Sequence, residues 1–137
     1  MSAVRIAGLI TLAGLALYVA AFPMPSWACG SCVPPHNGFS AFGNAIAFAP
    51  IAWFANPLLW GAFVLAARRK PGPTACFGLA AAVVAIVGVL IFRNGMHTYQ
   101  PLIGVTAWIG SMGLVALGAT LAWIFRPDEP STNGPAS

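Results

Sequence analysis

Four long apolar stretches alternate along this chain with short polar or proline-rich breaks: residues 6–22, 45–67, 75–92 and 102–125. None of the four holds an Asp, Glu, Lys, Arg or His. A helix that crosses the hydrocarbon core of a bilayer needs about 20 such residues, with a range of about 17 to 25. The pattern therefore predicts an all-α fold, a polytopic membrane helix bundle with four transmembrane helices in a single domain over residues 1–126. The tail 127–137 carries no apolar residue larger than alanine apart from its prolines. It is expected to be disordered and cytoplasmic.

The second stretch is the least regular. Pro50 and Pro57 have no amide hydrogen, which in a continuous helix would free the carbonyls of Ile46 and Trp53. Two shapes satisfy this. One is a kinked helix; the other is a short interfacial helix over about 41–49 followed by a tighter span from Ile51. Asn56, just before Pro57, can bond locally or across helices. Small residues lie four apart at Gly78 and Ala82, Ala81 and Ala85, and Ala107 and Ser111. That spacing lets helix backbones approach closely in a packed bundle. No internal repeat relates the two halves, so an inverted-repeat transporter has no support.

Composition removes the soluble alternative. Of 137 residues, 59% are hydrophobic and 6% charged, against the roughly one quarter charged in a soluble domain. The surplus apolar surface faces lipid. A net charge of +4 raises the question of nucleic acid. No basic patch is interleaved with polar or aromatic readers, however, and no nucleic-acid partner is expected. The bases are better explained by topology. With a cytoplasmic N-terminus, Arg5, Arg68, Arg69, Lys70 and Arg126 lie inside and Arg93 outside. This places the chain in a bacterial inner (cytoplasmic) membrane, with its C-terminus in the cytoplasm and the loop after the first stretch outside. Trp27, Tyr99, Trp60 and Trp123 fall near span ends, as interfacial aromatics tend to do.

The first stretch has a second reading. Pro23 and Pro25 break it, and Ser26-Trp27-Ala28 offers small residues at the two positions that signal peptidase reads. Against cleavage, only one Arg precedes the run, which is also slightly long for a leader. Cleavage would leave three spans with Cys29 at the mature N-terminus.

Reactive side chains gather in the outer breaks. Cys29-Gly-Ser-Cys32 is followed by Val33-Pro34-Pro35-His36, and the next outer break holds Met96 and His97. Thiolate, thioether and imidazole together suit a soft metal ion such as copper, zinc or mercury. Cys29, Cys32, His36, Met96 and His97 are the candidate ligands. A c-type haem site needs His directly after the second Cys, where Val33 stands. A thioredoxin-like thiol sits at a helix N-terminus, whereas Pro34-Pro35 pushes Val33 toward extended geometry. The third rival stays open: in an oxidising compartment, Cys29 and Cys32 form a structural disulfide. Met96 and His97 in a short break also suit a plain solvated turn. Cys76, alone near the inner end of the third stretch, is expected to be a small buried apolar residue.

Cys29-Gly-Ser-Cys32 with its following proline resembles the cysteine pair of bacterial mercuric-transport membrane proteins, also small multi-span chains. The resemblance covers these few residues and implies passage of a thiophilic ion.

Absences narrow the function further. No carboxylate, histidine or base lies at membrane depth, which disfavours proton-coupled transporters and pumps. Asp128 and Glu129, the only acids, stand in the tail. With no phosphate loop and no Ser-His-Asp set, hydrolysis and phosphoryl transfer have no candidates, and thiol exchange is the only enzymatic option left. The expected function is non-enzymatic: a small membrane protein that binds or hands on a soft metal ion. The alternative is an accessory or scaffold subunit of a membrane complex, with membrane-protein partners and a structural Cys29–Cys32 disulfide.

Overall fold

The computed structural model describes residues 2–29, 35–95 and 99–125. The elements run in the order α1 (Ala3–Ala21), β1 (Pro25–Cys29), β2 (His36–Asn37), α2 (Gly38–Phe48), α3 (Pro50–Trp53), α4 (Ala55–Ala67), α5 (Pro71–Gly95), β3 (Tyr99–Pro101) and α6 (Ile103–Ile124). Four helical segments are long and apolar enough to cross a membrane: α1, Pro50–Ala67, α5 and α6. They form the expected all-α bundle. The expected disorder of residues 127–137 lies outside the described residues.

The packing is that of a chain solvated by lipid. Leu12, Val19, Leu79, Val83 and Leu90 point outward, while the buried set is mostly alanine with Tyr18, Leu59, Met112 and Val115. In lipid no apolar driving force holds helices together, so small residues at close approaches supply the contact. α6 lies between α1 and α5, and α5 packs on α3 and α4. A side chain at Gly118 would meet Thr11 and the Ala7 carbonyl of α1, and one at Gly14 would lie 2.9 Å from the Ser111 carbonyl oxygen of α6. A side chain at Gly78 would sit 3.0 Å from the backbone nitrogen of Ala116. The first helix is thus an integral wall of the bundle.

The irregular second stretch falls within three helical segments, α2, α3 and α4. α2 ends at Phe48, Ala49 adopts φ −140° and ψ 57°, and Pro50 opens α3. Proline fits there because its missing donor is one that a helix start leaves unpaired anyway. Of the two shapes allowed by the prolines, the short helix followed by a span is the one observed.

At the opposite end, Arg69 holds the left-handed φ of 55°. The Lys70 amide donates to the Leu65 carbonyl at 3.0 Å and the Arg69 amide to Ala66 at 2.9 Å. That double bond pattern closes α4 in a turn where glycine is the usual residue. Pro71 and Pro73 then occupy the first turn of α5, which extends beyond the apolar run 75–92 at both ends.

Three expectations need correction. Residues 25–29, 36–37 and 99–101 are not simple loops: β1 is the central strand of a small antiparallel sheet with order β2-β1-β3. Pro25 and Pro101 stand at strand ends, where a missing ladder donor is tolerated. Cys76 is exposed on the outer face of α5, because Thr74, Ala75 and Gly78 take the inward one. Trp60 lies in the middle of its span and donates its indole N–H inward to Tyr18.

Candidate functional site

Two features sit at the end of the bundle closed by the sheet. The first is the sheet itself. Trp27 pairs with His36 on one side and with Pro101 on the other, and Cys29 pairs with Tyr99. The strand leading to Cys29 is therefore hydrogen-bonded both to the segment that carries His36 and to the one that follows His97. The Gly38 amide donates to the Met24 carbonyl at 3.0 Å, and the Leu102 amide to the Ser26 carbonyl at 2.8 Å. These bonds hold the two breaks together beyond the strands. Trp27 packs edge-on against Phe92, with ring centroids 4.8 Å apart.

Of the five candidate ligands, Cys32, Met96 and His97 lie outside the described residues. Among the described residues, no three His, Cys, Asp or Glu side chains converge. The topology brings Cys29 and His36 into one sheet with Tyr99, two residues after His97.

The second feature is centred on Asn56, whose capacity to bond locally or across helices is legible in the sequence while the identity of its partners is not. Asn56 is 3% exposed and forms the centre of a polar network that ties three of the four spans. Its Oδ1 accepts from the Tyr18 hydroxyl of α1 at 3.2 Å and from the Trp108 indole of α6 at 3.0 Å. Its Nδ2 donates to the Trp53 carbonyl at 3.1 Å. That is the carbonyl Pro57 cannot serve, so the side chain replaces the missing backbone donor. The Tyr18 hydroxyl in turn accepts from the Trp60 indole at 2.9 Å. Asn56 thus bonds both locally and across helices. Its partners were legible only as hydrogen-bonding side chains within apolar stretches, each of which must find a mate in hydrocarbon.

Above this network lies a cavity of about 80 Å³. Its wall is aromatic: Tyr18, Phe22, Trp27, Phe42, Trp53 and Trp108 contribute rings. Phe42 bridges the array, with its centroid 5.8 Å from Phe22 and 6.2 Å from Trp53. Alanines of α2 and α3 leave the space that these rings enclose. No charged side chain lines it.

The chain matches no protein-family model, no curated protein and no solved structure.

Proposed function

We propose that this chain is a small non-enzymatic protein of a bacterial inner membrane that captures a soft metal ion at the sheet end of the bundle and hands it on. One observation supports the reading: β1, which ends at Cys29, runs between β2, which begins at His36, and β3, which begins at Tyr99, two residues after His97. Two distant breaks in the sequence thereby share a scaffold, which a soft-metal site built from both requires. The reading puts the sheet end outside the cytoplasm, and the five-to-one distribution of bases in the sequence supports it. The ion, copper(I), zinc(II) or mercury(II), is cargo in this reading. Cys29 and Cys32 hold it as thiolates, and imidazole or thioether donors complete its shell.

The test is metal uptake by the purified, reduced full chain. Wild type should bind copper(I) near-stoichiometrically, and Cys29→Ser with Cys32→Ser should abolish that binding while helical circular dichroism is unchanged. A wild-type protein that shows no free thiol at these positions before reduction and takes up no metal after it overturns the proposal. That result favours the scaffold reading, in which the two cysteines form a structural disulfide.

A further inference from the structure

The cavity beneath the sheet has a chemistry of its own, independent of the cysteines. A single water needs about 10–15 Å³ of such space, so a cavity of about 80 Å³ has room for a group of several heavy atoms. Its rings present flat apolar faces, which favour a planar guest by offset or edge-on stacking. Its polar equipment is specific. Asn56 Oδ1 already accepts from Tyr18 and Trp108, and one Nδ2 hydrogen serves the Trp53 carbonyl. A carboxamide nitrogen has two hydrogens, so one donor is left over. The surrounding network fixes the orientation of that amide. The cavity therefore supplies a donor, no free acceptor on Asn56 and no charge. The Ser26 hydroxyl, whose hydrogen goes to the Met24 carbonyl at 3.3 Å, adds acceptor lone pairs to the lining and no further donor.

We propose that this cavity binds the head group of a neutral, planar, conjugated cyclic carbonyl of the quinone class, with a ring carbonyl accepting from Asn56 Nδ2. A charged guest would lose hydration with no counter-charge in the lining. A bare acyl chain would leave the buried amide donor without an acceptor, whereas a ring carbonyl satisfies it and occupies the aromatic wall. A membrane-soluble guest of this kind reaches the site by partition into the bilayer.

The experiment is a titration of the full chain in lipid nanodiscs with duroquinone, whose methylated ring resists thiol addition, read by equilibrium dialysis. Durene, the same ring bearing the same methyl groups without the carbonyls, is the comparison. Saturable binding of one duroquinone per chain is expected, with durene at least tenfold weaker. Ala45→Leu, which adds bulk to the lining from α2 at a residue that makes no side-chain bond in the Asn56 network, should weaken duroquinone at least tenfold. Equal binding of durene and duroquinone would show an apolar cavity only and overturn the proposal, as would non-saturable uptake by folded wild type. Unchanged affinity in a folded Ala45→Leu variant would place the guest elsewhere and also overturn it. If that variant does not fold, the wild-type comparison of the two rings decides alone. Metal uptake is not read in any arm, so the outcome is separate from that of the soft-metal proposal.

Discussion

Asn56 shows how one side chain resolves a conflict that the backbone creates. Pro57 removes the donor for the Trp53 carbonyl, and no water is at hand to replace it in hydrocarbon. The carboxamide of the preceding residue does so at 3.1 Å while its oxygen collects two donors from other helices. The two ends of this network are unequal in consequence. Tyr18→Phe removes one bond to Asn56 and leaves the Trp60 indole without its acceptor. The expected loss is about 0.6 to 1.7 kcal/mol, the range measured for interhelical bonds in membranes. Asn56→Leu strands the Tyr18 hydroxyl, the Trp108 indole and the Trp53 carbonyl together. Each buried orphan costs about 1 to 3 kcal/mol, so Asn56→Leu should cost at least twice what Tyr18→Phe does. Reversible unfolding of both variants in mixed detergent micelles measures the ratio. Equal losses would show that Asn56 acts through Tyr18 alone.

Among elements, the contact of α1 with α6 is the most extensive, and glycine sets its closeness. A Cβ at Gly118 would collide with the Thr11 side chain and with the Ala7 carbonyl, which is backbone and cannot rotate away. Gly118→Val should therefore separate the two helices and cost about 1 to 3 kcal/mol or more by overpacking. Gly113→Val on the same helix, where an added Cβ meets nothing within 4 Å, should be close to neutral. The same unfolding measurement compares them, and a neutral Gly118→Val would mean that α1 does not pack there. The spans themselves were legible in the sequence, since an uninterrupted apolar run of this length has few other fates. So was the break at Pro50, a local property of proline. Facing was not legible. In lipid both the inside and the outside of a bundle are apolar, so nothing in the residues around Cys76 distinguishes its outward face from the inward one of Thr74 and Gly78. The sheet escaped for a different reason. Strands of two to five residues have no period of their own. They exist only because Ala28 and Gln100, 72 positions apart, are brought opposite one another.

For the whole molecule, packing sorts the charged positions between the two ends of the four-span bundle, and a test of sidedness follows from that sorting. The start of α1 lies along the end of α6 through Gly118, Thr11 and Ala7, and Gly72 at the start of α5 lies 3.8 Å from the Trp123 ring if given a side chain. Those contacts gather residues 2, 70 and 125 at the end opposite the sheet. Arg5, Arg68, Arg69 and Lys70 belong to that end and Arg93 to the other, and under the proposed orientation the positive-inside rule makes the first end cytoplasmic. Tyr18 and Gly14 bind α1 into the bundle, so loss of the first helix by processing would leave Asn56 short of a donor and α6 without its most extensive contact. Single cysteines introduced by Ser2→Cys, Lys70→Cys or Asn94→Cys, in a chain whose native cysteines are serines, test both points at once. A membrane-impermeant maleimide applied to intact cells should label the cysteine at 94. Those at 2 and 70 should react only after permeabilisation. Labelling at 2 and 70 with protection at 94 would invert the orientation, and a purified chain that lacks the cysteine at 2 would establish the three-span form.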